Sequence, residues 1–242
     1  MNRRETRPPW RRLLMTIATT AAVAATGLAV ATPASAVEAP DNACPQLEII
    51  GARGTGQPPG LGIILTPLAR QITQQVPQTV RTIPLDYPAT FNYASSVRQG
   101  VAEVRRVMTA TAAQCADTRF ILLGYSQGAD VMGDALAGGA GWDGGSALPA
   151  DLASRVSAVL LFGDPTFTAG EPFNVTDGRA SGIFPRGTGQ LSAFADRIQS
   201  YCNVNDRFCQ RGTSLAAHLD YRAVLGQATQ FAVERVAADL GG

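Results

Sequence analysis

The sequence of 242 residues contains no lysine and only one histidine, His218. Without lysine, the chain can form neither a Walker-type phosphate loop nor a Schiff base. Charged side chains are also few, at 16% of residues, and the formal net charge is +1. This near-neutral balance gives no basic surface of the kind that binds nucleic acid, so we expect no nucleic-acid partner.

Cysteines are equally few, and none of the four belongs to a Cys-x-x-Cys pair. The four cysteines and the single histidine do not have the ligand spacing of a zinc site, so we expect no metal. An even number of cysteines in an exported chain indicates two disulfides, for which three pairings are possible. Cys202 and Cys209 are close enough to close one loop, which leaves Cys44 to pair with Cys115.

The N-terminus has the order of a secretory signal peptide: arginines, an apolar stretch from Leu13 to Val30, and then Ala34-Ser35-Ala36. The alternative is a membrane anchor, because the apolar stretch approaches the length of a spanning helix. The stretch is poor in Leu, Ile and Phe, however, and is followed by the helix breaker Pro33. We therefore expect residues 1–36 to be cleaved after export by the Sec or twin-arginine route. Residues 37–242 would then be one secreted catalytic domain without an anchor.

Short apolar runs alternate with segments of helical periodicity along the rest of the chain. The runs are almost continuously apolar, which favours a parallel sheet covered by helices on both faces. We predict a three-layer α/β/α sandwich with a mainly parallel five-stranded sheet and irregular loops at 139–148 and 167–190. The predicted strands are 47–52, 80–85, 120–123, 156–162 and 197–202, and the predicted helices are 61–76, 93–113, 129–137 and 218–240.

The third predicted strand leads directly into Gly124-Tyr125-Ser126-Gln127-Gly128 and then into a helix. A strand, Gly-x-Ser-x-Gly and a helix in that order form the sequence pattern of a nucleophile elbow, which exposes the serine hydroxyl at a sharp turn. A serine needs a base to take its proton, and histidine exchanges protons near neutral pH. We therefore predict Ser126 as the nucleophile and His218, the one histidine, as its base.

The third catalytic group should be an acid between Ser126 and His218, following the chain order of α/β hydrolases. Asp164 ends the fourth predicted strand, Asp206 lies between Cys202 and Cys209, and Asp196 is a weaker third candidate. Spacing favours Asp206, because a disulfide-closed loop would hold its carboxylate in place at low entropic cost. Asp164 is followed by Pro165, and a turn that ends the strand explains this Asp-Pro pair without a catalytic role.

An oxyanion hole needs backbone N–H groups that point at the reacting carbonyl oxygen. One such group should come from Gln127, the residue after the nucleophile, and a second from an early loop between a strand and a helix. The glycine-rich turn Arg53-Gly54-Thr55-Gly56 occupies that position, where Thr55 can add its hydroxyl.

Taken together, these segments resemble the cutinase family of secreted serine esterases, and the Arg-rich, Lys-free composition resembles a bacterial, actinomycete-like member. The resemblance implies a cofactor-free α/β-hydrolase that cleaves short- to medium-chain acyl esters or polyesters. It also implies a triad of Ser126, Asp206 and His218, an oxyanion hole at Thr55 and Gln127, and disulfides Cys44–Cys115 and Cys202–Cys209. The matching segments are Gly51-Ala52-Arg53-Gly54-Thr55, Gly124-Tyr125-Ser126-Gln127-Gly128, Cys202-x-x-x-Asp206-x-x-Cys209 and Ala217-His218-Leu219-x-Tyr221.

Two departures from the family pattern concern the substrate. Fungal cutinases usually have serine where this chain has Thr55, and the stretch Gly212-Thr213-Ser214 offers little apolar surface beside His218. The family also contains acetylxylan esterases and lipid esterases, so lipids, polyesters and acetylated polysaccharides are all expected ester partners of a monomeric enzyme. A further alternative is a secreted binding protein that keeps the scaffold but has lost turnover.

Overall fold

The computed structural model describes residues 44–138 and 147–240. The predicted signal peptide and most of the predicted loop at 139–148 lie outside the described residues. The strands are β1 (Leu47–Ala52), β2 (Val80–Pro84), β3 (Arg119–Tyr125), β4 (Val156–Phe162), β5 (Asn174–Val175) and β6 (Ile198–Tyr201). The helices are α1 (Gly62–Gln75), α2 (Tyr93–Gln114), α3 (Gln127–Ala137), α4 (Ala150–Ser154), α5 (Leu215–Leu219) and α6 (Leu225–Leu240), with 3-10 turns at Ser192–Phe194 and Arg222–Val224.

The strands form one parallel sheet in the order β2-β1-β3-β4-β6-β5. This arrangement confirms the predicted α/β class, and its central strand β3 carries the elbow at its carboxyl end. Within the part of the chain that the structure describes, the sheet has six strands, one more than predicted. The extra strand β5 has only two residues, and Asn174 pairs with Ser200 of β6. Such a short strand leaves no apolar run in the sequence, so only its pairing with β6 identifies it.

Two apolar clusters cover the two faces of the sheet and make the predicted three layers. One cluster joins the sheet to α2 and α3, and the other joins it to α1 and α6.

The chain forms both predicted disulfides: Cys44–Cys115 links the segment before β1 to the end of α2, and Cys202–Cys209 closes the loop after β6. Within 44–138 and 147–240, no helix combines the length and the apolar character needed to cross a bilayer.

The predicted closing helix at 218–240 is divided in the structure. His218 lies on the short helix α5, and the long helix α6 begins only at Leu225. The break lies at Asp220, whose backbone is extended (φ −126°, ψ 93°). The side-chain amide of Asn203 donates 2.8 Å hydrogen bonds to the carbonyls of Ala217 and Asp220, which therefore do not accept from a continuing helix. This break lets His218 approach the sheet independently of α6.

Candidate active site

The turn from β3 into α3 holds Ser126 in a conformation that non-glycine residues rarely adopt, with φ 54° and ψ −122°. The N–H of Ser126 donates to the carbonyl of Phe162 on β4 over 2.8 Å, which anchors the turn to the neighbouring strand. The flanking glycines are sterically required. A Cβ on Gly124 would lie 2.5 Å from the Cα of Ala129, and one on Gly128 would overlap the carbonyl oxygen of Ala52. The turn therefore has the geometry that the elbow pattern predicts.

Three predicted side chains meet beside this turn. His218 Nε2 lies 3.0 Å from Ser126 Oγ, and His218 Nδ1 lies 2.8 Å from Asp206 Oδ2. Asp206 is fully buried and His218 is only 4% exposed, so water does not compete for the bond between them. A continuous chain of hydrogen bonds thus runs from a buried carboxylate to a serine hydroxyl that lines a pocket.

The carboxylate of Asp206 is held by four donors. Its Oδ1 accepts from the backbone N–H groups of Phe208 and Cys209 at 2.7 and 3.0 Å. Its Oδ2 accepts from Tyr221 Oη at 2.7 Å as well as from His218. Burial alone would raise the pKa of Asp206, but the hydrogen bonds from His218, Tyr221 and the N–H of Phe208, together with the charge of His218, outweigh it and lower the pKa. The carboxylate therefore stays ionised where it faces the imidazole.

Aromatic rings hold the imidazole of His218 in place. The ring of Tyr125 stacks on it with centroids 5.3 Å apart, and the Tyr125 hydroxyl donates to the carbonyl of His218 at 2.9 Å. Phe208 packs on it at 4.5 Å. Gly163 faces the same ring, and a Cβ there would lie 2.9 Å from His218 Nδ1. The orientation of the imidazole is therefore set by packing as well as by Asp206.

Gln127 is the first residue of α3, where helical N–H groups have no carbonyl partner within the helix. Its side chain is fully buried. The Gln127 amide donates to the carbonyl of Thr90 at 3.0 Å and its oxygen accepts from Ser96 Oγ at 2.8 Å. These bonds tie the start of α3 to the loop before α2, so the Gln127 N–H is rigidly placed next to Ser126.

Thr55 lies on the glycine-rich turn after β1 and lines the same cavity as Ser126. Arg53 braces this turn: its guanidinium donates to the carbonyls of Gln57, Leu85 and Tyr87 at 2.9, 3.2 and 2.7 Å. The sequence pattern assigns no role to Arg53. The available signal was an arginine directly after an apolar strand, because a charge in such a place becomes buried and then needs several acceptors.

The cavity in front of Ser126 has a volume of about 420 Å³ and is lined mainly by apolar groups. Several lining residues are also exposed at its mouth: Phe91 is 88% exposed, Leu215 and Leu219 are each 47% exposed, and Phe184 is 39% exposed. The polar stretch 212–214 predicted little apolar surface beside His218. The structure instead forms an apolar rim from three separate segments of the chain.

The two other candidate acids lie elsewhere. Asp196 is at the surface, where Arg235 lies 3.3 Å from its carboxylate. Asp164 is buried, and its Oδ1 accepts from the N–H and hydroxyl of Thr166 at 2.8 and 2.6 Å. Burial and the nearby Asp130 raise the pKa of Asp164 to about 7 against the hydrogen bonds from Thr166. The buried Arg186 lies 3.9 Å from Asp164, so this carboxyl belongs to a polar cluster behind the site.

Because its pKa is raised, Asp164 should make the free energy of unfolding depend on pH. Between its ordinary pKa of 3.8 and its folded pKa of about 7, the unfolded chain ionises this carboxyl while the folded chain keeps its proton. Its contribution therefore lowers the free energy of unfolding as pH rises through that window. Asp164→Asn should remove this slope, which urea unfolding at several pH values would measure. Asp196→Asn is the exposed control and should behave as the wild type; equal slopes in all three proteins would contradict the prediction.

The chain is similar to known proteins over most of its length. A family model described as "Cutinase" matches residues 43–236. Acetylxylan esterase 2 of Talaromyces purpureogenus is 33% identical over 196 residues, covering 76% of this chain and 83% of the relative. Phospholipase Culp4 of Mycobacterium tuberculosis is 32% identical over 238 residues, covering 94% of this chain and 95% of the relative. A solved acetylxylan esterase is 31% identical with a TM-score of 0.75, covering 80% of this chain and all of that one.

Proposed function

This chain belongs to the cutinase family and is a cutinase-like carboxylic ester hydrolase, and we propose that it works through an acyl-enzyme formed on Ser126. The observation that carries the proposal is the unbroken hydrogen-bond chain from Asp206 through His218 to Ser126, with distances of 2.8 and 3.0 Å. Such a chain lets an imidazole take the serine proton while the carboxylate stabilises the imidazolium that forms.

In the proposed reaction, His218 Nε2 takes the proton from Ser126 Oγ as that oxygen attacks the ester carbonyl. The N–H of Gln127 and the loop at Thr55 stabilise the negative charge that develops on the carbonyl oxygen. His218 then gives its proton to the leaving alcohol, and the acyl group stays on Ser126. In the second half, His218 activates a water molecule that releases the acid. Asp206 stays ionised throughout, consistent with its lowered pKa.

Acid quenching during turnover of p-nitrophenyl butyrate tests the mechanism. Intact-protein mass spectrometry should find a fraction of the chain carrying one butyryl group, and peptide mapping should locate it on Ser126. His218→Ala should form the adduct far more slowly because the serine loses its base. Turnover with a butyryl group on another residue would rule out the proposed nucleophile.

For the substrate, we propose esters with an apolar acyl chain. The supporting observation is the apolar cavity of about 420 Å³ with Phe91, Leu215 and Leu219 exposed at its mouth. Each buried methylene of an acyl chain stabilises binding by about 0.8 kcal/mol, and an acetyl group would leave most of this surface unused.

An acyl-chain series makes this testable. Among p-nitrophenyl acetate, butyrate and octanoate, kcat/KM should be lowest for acetate. Phe91→Ala should reduce kcat/KM for octanoate several-fold and leave acetate nearly unchanged, because it removes apolar contact only beyond the carbonyl. Ile63→Ala removes an exposed apolar side chain that does not line the cavity and serves as the control. An equal loss on acetate and octanoate would contradict the proposal.

Deacetylation of a polysaccharide is the second candidate, supported by the similarity to proteins named acetylxylan esterase. Running acetylxylan and a polyester beside the acyl-chain series separates the two candidates. A preference for acetylxylan and for p-nitrophenyl acetate would favour the second candidate over the first.

We further propose that the enzyme acts outside the cell as a monomer, after residues 1–36 have been removed. Two disulfides suit an oxidising compartment, and one chain supplies every group that the proposed mechanism uses. N-terminal sequencing of the exported protein and its mass in solution test both parts.

A further inference from the structure

A tyrosine shares the oxygen through which Asp206 holds the imidazole. The hydroxyl of Tyr221 donates to Asp206 Oδ2 over 2.7 Å, and the same oxygen lies 2.8 Å from His218 Nδ1. The mechanism above uses only the second of these bonds. The first comes from a residue three positions after His218, on the far side of the break that ends α5.

The phenol of Tyr221 has little freedom. Tyr221 is 1% exposed, and its ring packs edge-on against Phe162 of β4 at 5.8 Å and Tyr125 of β3 at 6.4 Å. Its hydroxyl oxygen accepts from the N–H of Asn203 at 3.3 Å. The hydroxyl proton goes to Asp206 Oδ2 at 2.7 Å, because the other acceptor beside it, Cys209 Sγ, is neutral and lies farther away at 3.4 Å. Burial and the Asp206 charge raise the pKa of Tyr221, so the hydroxyl keeps the proton it donates.

Two physical consequences follow from the shared oxygen. The backbone N–H groups of Phe208 and Cys209 fix the other oxygen of Asp206, and the Tyr221 bond holds Oδ2 in place independently of His218. The same bond also stabilises the negative charge of the carboxylate. A carboxylate that is stabilised in this way attracts a second donor, here His218, less strongly. Tyr221 therefore bears on both the position and the strength of the Asp206–His218 contact.

We propose that Tyr221 is a positioning residue for ester hydrolysis, whose hydroxyl fixes Asp206 Oδ2 and moderates its attraction for the protonated imidazole. This inference rests on the proposed roles of Ser126, His218 and Asp206. The competing interpretation is that Tyr221 only fills space beside Phe162. The two interpretations differ in their consequences for the pH dependence of the reaction.

The chain offers a matched control for a test. Tyr201 is also 1% exposed and stacks on the same Phe162, with ring centroids 4.9 Å apart. Its hydroxyl donates to the side chain of Gln199 instead of the triad. Tyr221→Phe and Tyr201→Phe each remove a buried hydroxyl and keep a ring that packs on Phe162. Only Tyr221→Phe removes a donor to Asp206.

We expect Tyr221→Phe to lower kcat for p-nitrophenyl butyrate roughly 10-fold with little change in KM, as loss of one hydrogen bond to a charged group would do. The acid limb of the kcat/KM profile should move to higher pH, because a carboxylate with one donor fewer holds the protonated imidazole more strongly. Tyr201→Phe should change neither quantity. Both variants leave the other groups around His218 unchanged: Tyr125, which bonds to its carbonyl, and Arg207, which lines the same cavity. They also leave the exposed Asp220–Arg222 ion pair, which follows His218 in the chain, unchanged.

Both variants are assayed at a temperature where circular dichroism finds each fully folded. Wild-type kcat and an unmoved acid limb in Tyr221→Phe would overturn the inference, and so would a fall in kcat without a shift of the limb. Ser126→Ala is assayed beside them. If Ser126→Ala is inactive while Tyr221→Phe behaves as the wild type, only the role of Tyr221 fails. If Ser126→Ala retains hydrolysis, the proposed function itself fails.

Discussion

Ser126→Ala should lower kcat/KM for p-nitrophenyl butyrate by roughly 10⁴-fold or more, the scale on which serine hydrolases lose activity without their nucleophile. The substitution removes the one oxygen that His218 Nε2 faces at 3.0 Å. It leaves the Gln127 N–H and the apolar cavity in place, so substrate should still bind. Stopped assays at high enzyme concentration would measure the residual rate, and circular dichroism would verify the fold.

A second substitution at the same position separates chemistry from backbone strain. Ser126→Gly should be as inactive as Ser126→Ala but should unfold at a higher temperature, because glycine adopts φ 54° and ψ −122° more easily than alanine. The strain at such positions amounts to about 1–3 kcal/mol. Equal melting temperatures for the two variants would mean that the elbow stores no strain, and retained hydrolysis in either variant would remove Ser126 from the mechanism.

The second large effect should come from Asp206→Asn, with a loss in kcat of roughly 10³–10⁴-fold. An asparagine amide would present its NH₂ group or its oxygen to His218 Nδ1 without the charge that stabilises the imidazolium. It would also have to accommodate donors from Phe208, Cys209 and Tyr221, which a carboxylate accepts with both oxygens. Steady-state kinetics on p-nitrophenyl butyrate measure the loss.

Asp164→Asn is the control for this prediction. Asp164 bonds to Thr166 in the cluster behind the site, and the structure pairs His218 with Asp206 instead. The Asp164→Asn variant should therefore keep most of the wild-type kcat. A large loss in Asp164→Asn together with an active Asp206→Asn would move the acid to the end of β4.

The parts of the molecule that depend on local patterns could be predicted from the sequence. Continuous apolar runs indicated the strands of the parallel sheet, and the two glycines around Ser126 indicated the elbow because no other residue fits there. Because the chain has a single histidine, His218 was the predicted base, and the cysteines on either side of Asp206 favoured it as the acid. These signals all lie within a few residues of the group that they identify.

The parts that depend on contacts between distant segments could not be predicted. The break before α6 comes from Asn203, whose amide bonds to carbonyls 14 and 17 residues away. The apolar rim combines Phe91, Phe184 and the face of α5, none of which forms a distinctive run by itself. Tyr221 belongs to a recognised segment, yet its bond to Asp206 depends on how the loop after β6 folds back.

Reaction with a fluorophosphonate tests the central claim most directly, because the reagent modifies only a serine that a neighbouring base has activated. One equivalent should attach to the wild-type protein, and peptide mapping should find it on Ser126. Ser126→Ala should not react, His218→Ala should react far more slowly, and Asp164→Asn should react like the wild type. An unreactive wild-type protein, or a label on any other residue, would contradict the account.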